Sequence, residues 1–212
     1  MCQQLFERGN MNKQLEVTAP EVIGTPFEGG FYGGKIRIGV AIFAIVWAPK
    51  LDGEITGKWL DTYTDVPGAT SCFDSMANTK AMAEAGSPIA KQALAASIGG
   101  HTDWCVPARD VLEMGYRYLK PTTSENDVYR YGDNPSSIPA GYPYTETNPE
   151  QTAVEAFKEG NAEAFDDVWY ASSTQFSELS ALNQYFNDGD QDSDGKVYER
   201  RCRFVRLIQL SA

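Results

Sequence analysis

The chain has 212 residues, with 18 Lys and Arg against 29 Asp and Glu, a formal net charge of −11 and 42% hydrophobic residues. That length and apolar content suffice for one large domain or two small ones with a real core, and exclude disorder for most of the chain. The acidity argues against work that consists of neutralising nucleic-acid phosphates or anionic lipid, which needs a dense Lys/Arg surface.

In chain order, residues 1–34 read as an extended arm, short of core anchors, ending in a stretch rich in glycine (Gly24, Gly29, Gly30, Gly33, Gly34). Its first 20 residues hold no apolar core of the length a secretory signal requires, so the chain is expected to fold in a cytoplasm. Residues 35–50, KIRIGVAIFAIVWAPK, open with strict alternation, pass Gly39 and turn β-branched and aromatic. They predict a hairpin with its turn at Gly39 and Val40 and its second strand stopped by Pro49. The longest apolar run, 40–49, is about half of the ~20 residues a membrane-spanning helix needs, so no membrane insertion is expected. Trp59 is expected to pack where the sheet edge meets the following loop.

From residue 78 the pattern becomes helical. Residues 79–85 are rich in Ala and Met and stop at Gly86. Ser87 then caps a second helix with Pro88 at its first position, where a missing N–H costs nothing, and Gly99-Gly100 end it. A third helix is predicted over 109–119, with Val111, Leu112, Tyr116 and Leu119 on one side. Residues 120–149 hold five prolines together with Tyr129, Tyr131, Tyr142 and Tyr144, which predicts a long but ordered surface loop. Asn148-Pro149-Glu150-Gln151 has capping-box spacing and predicts a short fourth helix closed by Gly160. Strand chemistry returns over 168–174 and 181–186, followed by the hairpin-turn signal Asn187-Asp188-Gly189 and a β-rich run over 197–210. The order strands, helices, strands predicts an α+β fold with the first and last segments paired in one sheet.

Three blocks then carry a resemblance. IGGHTDWCVPARDVLEMGYRYLKP supplies Gly100, Asp103, Trp104, Pro107 and Leu112; FDDVWYASSTQFS supplies Trp169, Ser172, Ser173, Thr174, Phe176 and Ser177; FNDGDQDSDGKVYERRCRFVR supplies Phe186, Asp188, Gly189, Val205 and Arg206. In this order, and with the segment ANTKAMAEAGSPIAKQAL, they resemble the Lcl C-terminal-like domain of unknown function, frequent in bacteriophage and prophage proteins, over roughly residues 27–208. The resemblance implies a C-type-lectin-like fold, with antiparallel sheets, two to four helices and a long ordered loop region, of the variant shared with formylglycine-generating enzymes and phage tropism determinants. It also implies a structural or binding role. The chain departs from the pattern at Val106, at Ala108 before the third helix, and at Leu182 and Asn183 in the family's aromatic-rich display strand.

Residue chemistry points the same way. Asp190, Asp192, Asp194 and Gly195 match the first half of an EF-hand loop, but its twelfth position is Arg201 where a bidentate Glu is required, so an acidic hairpin without metal is expected. His101 and Cys105 form at most half of a zinc site, because His101 is the only histidine and no C-x-x-C pair completes it. Cys2, Cys72, Cys105 and Cys202 are too scattered for a disulfide scaffold and are predicted as free thiols. Cys105 and Cys202 are the sole candidates for the oxygen-activating pair of the formylglycine-generating relatives; their contexts do not match and predict inert buried thiols. No catalytic residue and no cofactor is therefore expected. Trp104 and Trp169 are expected in the core, and Ser172, Ser173 and Thr174 at a strand end, satisfying backbone.

The expected binding surface is the outward part of the segment 175–198 together with the loop tyrosines, namely Asn183, Gln184, Tyr185, Asn187, Tyr198, Tyr142 and Tyr144, since Tyr and Asn give adaptable contacts at low entropy cost. The expected protein is a virion component assembled in the host cytoplasm, at a tail tip, fibre or baseplate. Residues 1–30 are its arm to other virion proteins, and 31–212 its lectin-like domain, facing a host-surface glycan or protein receptor and no nucleic acid. Closed symmetry suggests a trimer or hexamer. The alternatives are a capsid head decoration protein and, in another class, a formylglycine-generating-like oxidase or a hydrolase.

Overall fold

The computed structural model describes residues 17–129 and 132–211. Their elements run β1 (Pro26–Phe27), β2 (Gly30–Ile38), β3 (Ala41–Trp47), a single-turn α1 (Lys50–Gly53), β4 (Glu54–Lys58), α2 (Ser75–Glu84), α3 (Pro88–Ala95), α4 (Arg109–Leu119), β5 (Ser137–Ile138), β6 (Trp169–Gln175), β7 (Ser180–Tyr185), β8 (Gln191–Gly195), β9 (Glu199–Arg203) and β10 (Val205–Gln209). The fold is α+β with mostly antiparallel sheets. One sheet has the order β1-β2-β3-β10 with β5 on the free side of β2; the other has the order β4-β9-β6-β7-β8, in which only β6 and β9 run parallel.

The predicted hairpin forms β2 and β3, with Gly39 and the fully exposed Val40 at its turn. The first and last segments do share a sheet: β10 pairs antiparallel with β3 from Val205 opposite Trp47 to Gln209 opposite Phe43. The final β-rich run is nevertheless two strands. At Phe204 the chain leaves one sheet for the other, its N–H bonding to Gly53 O and its carbonyl accepting from Ala48 N–H, where β3 makes the opposite crossing into β4.

Helix ends follow their local chemistry where a cap exists. Asp74 Oδ1 accepts from Ala77 N–H at the start of α2, and Ser87 Oγ from Ala90 N–H at the start of α3. For α4 the residue in the cap position is Ala108, and distant groups replace it: Thr174 Oγ1 accepts from Arg109 N–H and the Cys72 carbonyl from Asp110 N–H. The predicted fourth helix does not form. Only a 3₁₀ turn, Glu155–Phe157, follows, because Asn148 is bonded to the Tyr142 hydroxyl and Thr152 N–H to Lys120 O instead of serving a helix start.

The arm needs correcting too. The part of 1–30 ahead of residue 17 lies outside the described residues, but from Ile23 the chain belongs to the domain: Gly24 N–H bonds to Tyr32 O, Phe27 packs on the core and β1 pairs with β2. The glycines are there for want of room. A Cβ on Gly33 would lie 2.4 Å from Trp47 Nε1, and one on Gly115 in α4 would lie 2.6 Å from Trp47 Cζ2, so the indole is clasped between strand and helix. Phe165 stands edge-on to the same indole at 5.2 Å. Gly115→Ala is therefore expected to lower the urea midpoint: overpacking costs about 1–3 kcal/mol, more than the ~1 kcal/mol of helix propensity that alanine brings.

Two cores result. Trp59, Met82, Ile89, Trp104, Cys202 and Phe204 pack among α2, α3 and the second sheet, while Trp47, Leu112, Tyr116, Phe165, Tyr170 and Phe186 pack beneath α4. The three sequence blocks interlock between them. Asp103 takes a two-pronged contact from Arg206 (2.5 and 3.1 Å), Cys105 and Val205 exchange backbone bonds (2.8 and 2.9 Å), and Ser173 N–H reaches Pro107 O at 2.7 Å.

Candidate functional site

Helix α4 carries an acid and a base one turn apart, Glu113 and Arg117, and the long loop closes over both. Arg117 Nε donates to Glu113 Oε1 at 2.8 Å, and its Nη2 donates to the carbonyls of Gly132 (2.5 Å) and Tyr142 (2.7 Å). Its guanidinium lies 4.7 Å from the centre of the Tyr142 ring and 5.1 Å from that of Tyr144. Glu113 also accepts from Asn134 Nδ2 and the Tyr144 hydroxyl, and that hydroxyl accepts from Gln184 Nε2. Burial pushes the Glu113 carboxyl above its ordinary value, with Arg117 the strongest influence in the other direction; burial likewise pushes the Tyr144 phenol well up.

A second set of bonds pins the first half of the loop. Lys120 Nζ donates to Ser124 O and Asn126 Oδ1, and Asn126 Nδ2 donates to the carbonyls of Thr145 and Pro149. The loop is thus tied to α4 by buried polar groups, although Arg117 Nη1 and Gln184 Oε1 are buried in the network without a hydrogen-bond partner.

Above it lies a groove of about 500 Å³ whose walls include Tyr118, Pro139, Tyr142, Asn148 and Glu150, with Arg117 bordering it. A hollow of about 420 Å³ adjoins it, reaching Lys120, Glu125, Glu146 and Gln151 and sharing Thr147, Pro149 and Glu150 with the first. Tyr142 is half exposed here, its hydroxyl held by Asn148.

The expected display residues do not form one surface. Tyr142 stands over the groove, but Tyr144, Gln184 and Asn183 are buried. Their exposure was inferred from polarity, whereas β7 lies between β6 and β8, Gln184 is tied to Tyr144, and Asn183 faces Ala171 across the strands. Tyr185 is half-buried and stacks on Trp169 at 5.3 Å and 16°, so Trp169 is a partner of the surface and not the core residue it was expected to be. Asn187 bonds to Asp167, which also holds the Tyr185 phenol and raises it. Tyr198 is exposed at another corner, against Gly195 with Tyr63. Tyr131, Arg130 and Cys2 lie outside the described residues.

Glu113, Arg117 and Asn134 were missed by sequence reasoning. The signal was present as an i, i+4 acid–base pair, but such pairs normally mark a solvated helix face.

Other chemistry is structural. Ser172 Oγ donates to Leu182 O and Thr174 Oγ1 to Ser71 O, as expected of residues satisfying backbone. Cys72, Cys105 and Cys202 are free thiols; Cys105 and Cys202 are fully buried and burial pushes both well above the ordinary thiol range. Asp192 and Asp194 run along β8, and Asp194 pairs with Arg200. Among the described residues no group of three or more His, Cys, Asp or Glu is placed to hold a metal, and no helix is long and apolar enough to cross a membrane.

Comparison of the chain with protein-family models, with curated proteins and with solved structures finds no match in any of the three. The resemblance drawn above is carried by the chain's own residues alone.

Proposed function

We propose that this protein is a non-catalytic binding module of C-type-lectin-like fold, carried on a bacteriophage particle at a tail tip, fibre or baseplate. There it contacts a host-surface receptor or another tail protein through the loop face around Tyr142. The observation that carries the binding reading is the groove itself: a half-exposed aromatic ring over a cleft whose walls are fixed by the buried Glu113–Arg117 network. Rigid aromatic surface of this kind binds at low ordering cost. Buried thiols with raised proton affinity, and hydroxyls engaged by backbone, favour binding over oxidation or hydrolysis on the same fold. The virion reading is supported by the three interlocked blocks, and by an order of strands, helices and loop that suits the implied fold. Attachment falls to the chain ahead of Ile23, and a trimer or hexamer is the assembly closed symmetry favours.

Immunogold labelling of phage or induced-prophage particles with antibody against this chain tests the location. Gold at the tail tip is expected; gold over the head would make the protein a decoration protein, and unlabelled particles would end the virion reading. In labelled particles, Tyr142→Ala is expected to reduce adsorption to host cells by about 30-fold, the size of a hot-spot loss near 2 kcal/mol.

A further inference from the structure

We infer that Lys196 and Gln175 become joined side chain to side chain by an isopeptide bond, which the folded protein forms by itself with release of ammonia, whatever the loop face binds. Gln175 ends β6 and Lys196 directly follows β8, so the two strands that flank β7 bring them together. Lys196 is 1% and Gln175 8% exposed, and Lys196 Nζ lies 2.5 Å from Gln175 Oε1. The amine also donates to the Thr64 carbonyl at 2.7 Å, and the centre of the Trp59 ring lies 4.7 Å from it. Among the described residues no carboxylate pairs with Lys196, whereas Lys50, Lys58 and Lys158 each reach one. A buried ammonium without a counter-ion is costly. Burial accordingly pushes the Lys196 amine below its ordinary value, against the influence of Asp65 and Glu178. A desolvated, neutral amine is a nucleophile.

Gln175 is placed as its electrophile. Oε1 also accepts from Val66 N–H at 2.7 Å, so the oxygen that gains charge during attack has a fixed backbone donor. Nε2 donates to Asp65 Oδ1 at 2.6 Å, and Asp65 is exposed. The neutral amine adds to Gln175 Cδ, forming the new C–N bond. The proton it sheds passes to Nε2 with Asp65 as carrier, the Cδ–Nε2 bond breaks, and ammonia leaves to solvent beside Asp65. Amine and carboxamide thus give a substituted amide and ammonia, with no oxidant, reductant or second substrate. If Lys196 begins as ammonium, the product leaves as ammonium and charge still balances.

Lys120 shows what the arrangement requires. It too is buried, with Nζ 2.8 Å from a side-chain amide oxygen, that of Asn126. But Asn126 Nδ2 donates to the carbonyls of Thr145, Glu146 and Pro149, none of which can return a proton to it. A linkage is therefore expected at Lys196 and none at Lys120.

The full chain, expressed and held at neutral pH, should be weighed by intact-mass spectrometry. It should then be digested with a Glu-specific protease, which separates 164–178 from 179–199 by cutting after Glu178. The expected result is a mass short by one ammonia and the two fragments joined, with Gln175 and Lys196 as the branch point in their fragmentation spectra. Lys196→Arg, whose guanidinium stays protonated, should restore the full mass and the separate fragments. Asp65→Asn should lower the linked fraction of freshly purified protein by about tenfold or more, as loss of a proton carrier does. Because Asp65 is exposed, this variant tests the linkage even if Lys196→Arg does not fold, and circular dichroism checks both. Wild-type protein of full mass with separate fragments would overturn the inference, as would joined fragments that persist in Lys196→Arg. A mass loss without joined fragments, as from a cyclised Asn or Gln, would overturn it equally. Linkage undiminished in Asp65→Asn, or a second branch at Lys120, would overturn the carboxylate as proton carrier.

Discussion

Replacing Arg203 by alanine is expected to cost about 3–5 kcal/mol, the penalty for breaking a buried ion pair from one side, and to lower the thermal midpoint by roughly 10 °C. Arg203 is fully buried at the end of β9, where the chain crosses between the sheets. Its Nε donates to Ala48 O at 2.8 Å, Nη1 to Glu163 O at 2.7 Å, and Nη2 to the Glu163 carboxylate. Phe157 and Phe165 flank the guanidinium at 5.2 and 5.0 Å. Alanine would leave the carbonyls of Ala48 and Glu163 without their donor, leave the Glu163 carboxylate with only the Lys50 N–H of its two donors, and open a cavity against two rings. Arg203→Lys keeps the charge but not the fork, so it should recover only part of the loss. Urea unfolding of the three proteins checks the order wild type, Lys, Ala; an alanine variant within about 1 kcal/mol of wild type would mean that solvent enters and hydrates the site.

Much of this architecture was legible because local rules and tertiary packing agreed. The helix over 109–119 forms at the expected residues since its apolar spacing is helical and Pro107 and Pro121 bracket it. Ser87-Pro88 starts α3, and Gly189, at φ 83°, makes the turn that Asn187-Asp188-Gly189 announces. Where the two levels disagreed, packing prevailed. Gly30 and Gly33 carry no side chain to anchor the segment, yet their lack of a Cβ is what lets β2 lie against Trp47. The capping box at 148–151 was a sound local signal whose donors and acceptors found partners elsewhere in the loop.

The site was less legible than the fold, for a physical reason. Polarity along a strand predicts exposure only when one face of the sheet meets water, and Gln184 is polar because it must reach the Tyr144 hydroxyl inside the protein. Tyr142 and Tyr144, two residues apart, read alike in sequence and end half exposed and buried. What separates them is where the hydroxyl goes: that of Tyr144 reaches the buried Glu113 and Gln184, and that of Tyr142 the exposed Asn148, while Arg117, from a helix more than twenty residues earlier, packs on both rings.

Arg117→Ala is accordingly the second large effect expected, again about 3–5 kcal/mol at neutral pH, with a pH dependence carried by Glu113. Removing the guanidinium releases the carbonyls of Gly132 and Tyr142 and leaves Glu113 ionised in a buried site. Burial already raises the Glu113 carboxyl in the folded protein, and Arg117 is the main influence holding it down. Without Arg117 the folded-state value must climb further. A carboxyl raised on folding contributes its stability below its unfolded value and loses it as pH rises through the folded value, so the variant should be weakest above neutrality and recover toward pH 5. Arg117→Ala/Glu113→Gln should abolish most of that pH dependence while remaining less stable than wild type, since the loop carbonyls still lack their donor. Limited proteolysis at pH 7 should then cut Arg117→Ala within 120–149, where wild type resists. An Arg117→Ala deficit that stays constant from pH 5 to 8 would show that Glu113 is hydrated in the variant, and that the loop is held by packing of Tyr142 and Tyr144 more than by the charge beneath them.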